Sequence, residues 1–139
     1  MNLLARREHS LTELKRKLSQ RFDTEELDAA LEKLAEENLQ SDERFAQSFT
    51  RERMLRGVGP LRIESELRQR GVQSVFIDQA LVAVPQEERT TWREVAQYVL
   101  QRKFGDAPPI DLSDKARRLR FLGYRGFGEE SAGLVPDVY

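Results

Sequence analysis

Apolar residues recur along this chain at three- and four-residue intervals in one segment after another, while alternating β-branched stretches are nearly absent. The pattern predicts an all-α protein. Leu27, Ala30, Leu31 and Leu34 form one such stripe. Start and stop signals bound the helices: Ser10 with Glu13 is a capping-box pattern, Asp23 with Glu26 is a looser acidic version of it, Pro60 suits a first turn, and Gly57, Gly71 and Gly105 suit C-terminal stops. These signals predict helices near 2–8, 10–20, 24–37, 42–56, 60–69, 75–84 (opened by Ser74, ended by Pro85), 88–103, 114–123 (capped by Ser113) and 129–135, nine in all.

The nine group as three copies of one unit. An offset of 49 pairs Leu14 with Ile63 and Leu18 with Leu67, and an offset of 50 pairs Phe22 with Val72, Leu27 with Ile77 and Ala30 with Ala80. Between the second and third copies an offset of 50 pairs Phe45 with Val95, Ala46 with Ala96 and Arg53 with Lys103. Beyond the insertion around Pro108 and Pro109 the offset becomes 55, pairing Leu67 with Leu122, Gly71 with Gly126 and Val72 with Phe127. Helical phase is not carried across loops, so agreement over successive helices favours a genuine repeat. The predicted domains are therefore three tandem three-helix repeats, at 1–39, 40–85 and 86–139. A unit of roughly 45 residues buries too little surface to stand alone, so neighbours share a core in an elongated array. The opening helix of the first unit is shorter than its equivalents, which predicts a native chain that starts upstream of Met1.

Composition narrows the chemistry. With no cysteine there is no disulfide, thiolate nucleophile or cysteine zinc site, and the single histidine, His9, builds no histidine-rich metal site. No stretch approaches the ~20 apolar residues of a membrane span, and the start lacks a signal-peptide core. The expectation is a soluble, cytoplasmic monomer that needs no cofactor and avoids membranes. Gly57-Val58-Gly59-Pro60 lacks a preceding strand and a following Gly-Lys-Ser/Thr, so it reads as a helix-to-helix turn and not as a phosphate loop. Asp28, Glu32 and Glu36 line one helix face without convergent partners for acid–base work, and Arg44, Arg51 or Lys15 are the candidates to relieve their mutual repulsion. Trp92 shares a face with Val95, Ala96 and Val99, which places it in the core.

Charge is high, with 23 basic and 24 acidic residues that nearly cancel, but it is arranged in blocks. Residues 23–43 hold nine acidic residues against one basic, whereas 44–70 and 102–125 each hold seven basic against three acidic. A partner that presents both signs fits such a surface. Arg51, Arg53 and Arg56 crowd one helix end, with Arg62 beyond them, and Lys103 beside Arg102 takes the equivalent place in the next unit. Arg117, Arg118, Arg120 and Arg125 follow, interleaved with Phe121, Tyr124 and Phe127. Arginine offers a planar fork matched to carboxylate and phosphate, so these nine residues are the candidate binding faces for a polynucleotide or an acidic protein. Solvated faces with cationic C-terminal turns are the plainer reading of the same residues.

Ala5-Arg6-Arg7-Glu8-His9-Ser10, Asp42-Glu43-Arg44-Phe45-Ala46, Gly57-Val58-Gly59-Pro60-Leu61-Arg62-Ile63 with Glu66-Leu67, Lys103-Phe104-Gly105 and Arg120-Phe121-Leu122-Gly123-Tyr124-Arg125-Gly126-Phe127 together resemble the RecX family of bacterial regulatory proteins. The resemblance spans nearly the whole chain in order and spacing. Arg21-Phe22 departs from it, lacking the glycine found at Gly71-Val72 and Gly126-Phe127. The resemblance implies a non-enzymatic modulator of RecA. Such a protein binds the RecA filament on single-stranded DNA, in its helical groove or at its growing end, and reduces extension, ATP hydrolysis, strand exchange and coprotease activity in DNA repair, homologous recombination and the SOS response. The alternative is a sequence-independent or helix-turn-helix nucleic-acid-binding regulator. No helix clusters Asn, Gln and Arg for base edges, which disfavours operator reading.

Overall fold

The computed structural model describes residues 24–138. Among them the chain forms α1 (Thr24–Leu55), α2 (Pro60–Gln69), α3 (Ser74–Glu87), α4 (Trp92–Phe104), α5 (Leu112–Arg125) and a 3₁₀ turn at Glu129–Ser131, with no strand. The helices expected at 2–8 and 10–20, with His9 and Lys15, lie outside the described residues.

Where separate helices were expected at 24–37 and 42–56, a single helix of 32 residues runs unbroken. The intervening Asn38-Leu39-Gln40-Ser41 contains neither glycine nor proline and is flanked by good helix formers, so nothing interrupts the backbone ladder. At 1.5 Å per residue α1 reaches roughly 48 Å. Along its second half Asp42, Phe45, Ala46, Thr50 and Met54 are buried at three- and four-residue spacing. That stripe faces α3, whose Ile77, Ala80 and Val84 are likewise buried.

Two apolar clusters result. Phe45, Ala46, Ile63, Leu67, Ile77 and Ala80, from α1, α2 and α3, close with Val58 and Val72 into the first. Ala96, Val99 and Leu100 of α4 join Leu122, Phe127 and Val135 in the second. Trp92 packs against both, as its face predicted. The residues paired by the 55-residue offset have the same local structure: Gly71 and Gly126 both sit at positive φ (83° and 97°). After each, the next amide bonds the carbonyl five residues back, Val72 to Leu67 at 3.1 Å and Phe127 to Leu122 at 3.0 Å. This is the same left-handed helix cap made twice.

Four elements have bounds that differ from expectation. Ser74 is the first residue of α3 and not its cap, and α3 continues past Pro85 to Glu87. A proline inside a helix has no N–H for the carbonyl four residues earlier, here Leu81. The Trp92 indole N–H donates to that carbonyl at 3.0 Å instead. α4 starts at Trp92 and not near 88, because Arg89 takes a left-handed φ of 55° and the Thr91 hydroxyl caps the new helix by accepting from the Glu94 amide at 3.1 Å. α5 starts at Leu112, with Asp111 in the capping role expected of Ser113; its carboxylate accepts from the Asp114 amide at 2.7 Å. The terminal helix shortens to one 3₁₀ turn, followed by Gly133 at φ 78°.

The Trp92–Leu81 bond is expected to behave as a replacement for the one Pro85 cannot make. Trp92→Phe strands a part-buried acceptor and is expected to lower stability by about 1–3 kcal/mol. In a Pro85→Ala background the new amide reaches Leu81, so the same substitution is expected to cost measurably less. Denaturant unfolding of the four members of this cycle checks the difference.

Candidate functional site

The structure divides the nine candidate basic residues between internal ties and open surface. Arg53 forks onto Glu66 at 2.6 and 2.9 Å, half-buried, and fastens α1 to α2. Arg51 bonds Glu88 at 3.0 Å and also pairs with Glu87, fastening α1 to the end of α3. It therefore does not relieve the Asp28–Glu32 face. Arg118 corrects the surface reading most sharply: it is 7% exposed, donates to the Ala107 carbonyl at 2.8 Å and to Asp114 at 3.2 Å, and lies over the Phe104 ring at 5.2 Å. Reversing its charge would bury an unmatched carboxylate, so it belongs to the fold and not to a docking face. Arg117 is exposed but paired with Asp114 at 3.0 Å, and Arg120 is exposed with no ion pair among the described residues.

Arg56, Arg62, Lys103 and Arg125 gather where the two clusters meet. Here the Gly57-Val58-Gly59-Pro60 turn abuts the cap of α5. The Gly59 amide bonds the Arg125 carbonyl at 2.6 Å, and the Leu61 amide bonds Gly126 at 3.0 Å. A Cβ on Gly59 would stand 2.5 Å from the Gly126 backbone, so only glycine permits this approach. Arg62 donates to the Tyr124 carbonyl at 3.3 Å and Arg125 to the Arg56 carbonyl at 3.2 Å, which ties each element to the other.

Beside this joint runs an open groove of about 380 Å3. The ends of α1, α4 and α5 converge on it, bringing Arg56, Arg102, Lys103 and Arg125 together, and no acidic residue lines it. Cations suit that place because the last carbonyls of three helices carry partial negative charge. Arg102 donates to the Tyr98 hydroxyl at 3.1 Å, a bond that raises its pKa further above the ordinary arginine value. Tyr98 and Leu55 remain 58% and 69% exposed. Neither was singled out from sequence. Tyr98 lies at i−4 from Arg102 on the outer face of α4, a spacing that signals the contact.

Two further charges are set by pairing. The Asp114 carboxyl is held below its ordinary value by Arg117 first, then by the Ile110 amide and Arg118. Asp137 is lowered by Lys115, whose Nζ lies 2.7 Å away. Among the described residues no group of three or more His, Cys, Asp or Glu is placed to hold a metal ion, and no helix is long and apolar enough to cross a membrane.

Fold and surface together define an all-helical protein with an open charged groove. The stretch 41–81 matches the family model described as RecX, second three-helix domain. Over 136 residues, 97% of this chain and 85% of the relative, it is 48% identical to Regulatory protein RecX of Pseudomonas savastanoi pv. phaseolicola. It is 47% identical over its full length to 90% of Regulatory protein RecX of Pseudomonas entomophila. The chain belongs to the RecX family of regulatory proteins.

Two outcomes follow from this geometry. Gly59→Ala is expected to lower stability by about 1–3 kcal/mol by forcing two backbones apart. Gly123→Ala, on the exposed side of α5 with nothing within 4 Å, is expected to raise it by up to ~1 kcal/mol. Thermal melts of the two variants beside wild type decide both. For Asp114, folding lowers the pKa, so its contribution is complete above the unfolded value of about 3.9 and fades as pH falls through the folded value. The gap in melting temperature between wild type and Asp114→Asn is expected to hold steady from about pH 7 to 5 and to shrink below about pH 4.

Proposed function

We propose that this protein regulates the RecA recombinase by binding, without catalysis, to RecA filaments assembled on single-stranded DNA, and that it reduces their extension, ATP hydrolysis, strand exchange and coprotease activity. The observation that carries this reading is family membership across nearly the whole chain. Its setting is recombination, repair and the SOS response, in the cytoplasm.

The proposed body is a monomer of three tandem three-helix repeats, 1–39, 40–85 and 86–139, long enough to bridge neighbouring filament protomers. The repeated cap at Gly71 and Gly126 supports the second and third units as copies. A body that binds one filament state more tightly than another shifts assembly towards that state by the difference in affinity. Seating in the helical groove and capping of the growing end both satisfy this condition. Direct contact with single-stranded DNA is proposed to be weak, since arginines such as Arg51 and Arg53 are already committed to internal carboxylates and release few counterions.

RecA ATPase on single-stranded DNA, with this protein added at substoichiometric ratios, tests the reading. A fall in the hydrolysis rate is expected. An unchanged rate, together with tight preference for one duplex sequence in competition binding, would favour a DNA-binding regulator instead.

A further inference from the structure

The basic groove is half of a longer surface. On the other side of Leu55, Gly57 and Tyr98, which line both, lies a second depression of about 280 Å3. Its rim carries Glu88 and Glu94 and no basic residue, and its floor is Met54 and Val95. Thus four cations, of which Arg56 pairs with Glu52, stand on one side of an exposed Leu55–Tyr98 ridge, and on the other stand Glu88, already paired with Arg51, and Glu94.

From this arrangement we infer that the joint is a docking site for a segment of a partner protein carrying an acidic, an apolar and a basic side chain in that order. The acid enters the Arg102–Lys103 side, the apolar group lies on Tyr98 and Leu55, and the base faces Glu94. A nucleic-acid strand fits less well, because phosphates passing over Tyr98 meet the Glu94 carboxylate, whereas a protein segment satisfies both signs. Tyrosine is suited to the centre of such a site: it offers a large, rigid area with few rotors to immobilise. Tyr98 is held in place by the Arg102 bond and by the guanidinium 5.8 Å from its ring. Glu94 is oriented by the Thr90 hydroxyl, which donates to it at 2.9 Å. The α1 and α5 walls of the basic groove are also preformed, since the glycine contact ties the α1–α2 turn to the α5 cap.

The assignment rests on the filament reading for its partner, and a single set of variants separates the two. Wild type, Tyr98→Ala, Lys103→Glu and Glu94→Gln are sedimented with preassembled RecA–single-stranded DNA filaments, and each is also titrated against a fluorescent single-stranded oligonucleotide alone. Circular dichroism confirms that each variant is folded. Tyr98→Ala is expected to weaken filament binding about tenfold, and Lys103→Glu and Glu94→Gln a few-fold each. Glu94→Gln discriminates by sign: a protein segment loses a partner for its base, so filament binding weakens while oligonucleotide binding stays level or tightens. Filament binding that is unchanged or tighter in Glu94→Gln, or unaffected by Tyr98→Ala, overturns the assignment and leaves the filament reading standing. Wild type that fails to sediment with filaments overturns both.

Discussion

Pro85 sits inside α3, where its ring nitrogen has no hydrogen to offer the Leu81 carbonyl. A part-buried helix carbonyl without a partner is unfavourable, and Trp92 resolves it from the start of the next helix. The consequence reaches beyond one hydrogen bond. Because the indole must sit at Leu81, its ring lies between the two apolar clusters and packs on both. The proline inside one helix thereby fixes where the following helix starts and how the second cluster is placed on the first.

The glycine joint completes that constraint from the other side. Trp92 fixes the start of α4, and the contact of Gly59 with the α5 cap fixes the end of α5. With both ends held, the C-terminal ends of α1, α4 and α5 open onto one groove. Their carbonyl dipoles favour cations there, and the sequence supplies four. The basic groove is therefore a by-product of how two small cores are joined, and its charge follows from which helix ends the joint exposes.

Local signals made much of this legible. The Gly57–Pro60 turn, α2, Trp92 in the core and the equivalence of Gly71 with Gly126 all rest on residues close in sequence or on a repeated pattern. What was hidden depends on distance along the chain or on competition between signals. Arg51 and Arg53 look like their exposed neighbours until Glu88 and Glu66 are brought to them from 37 and 13 residues away. Arg118 has the spacing of a surface arginine, yet the Ala107 carbonyl and the Phe104 ring enclose it. The break near residue 40 failed because charge and capping residues mark where a helix is able to begin, while only glycine, proline or tertiary contact obliges one to stop. Tyr98 escaped notice because nothing in the apolar pattern distinguishes an exposed tyrosine on a groove from one on open surface.

On the proposed reading the joint, and not another face of the molecule, meets the partner protein. Replacing Tyr98 by a photo-cross-linking amino acid tests this directly, with Leu112, exposed at the opposite end of α5 roughly 20 Å along the helix, as the comparison position. After irradiation on RecA–single-stranded DNA filaments, position 98 is expected to link to RecA polypeptide far more than position 112 does, and not to DNA. Equal linkage from both positions, or linkage from position 98 chiefly to DNA, would contradict it.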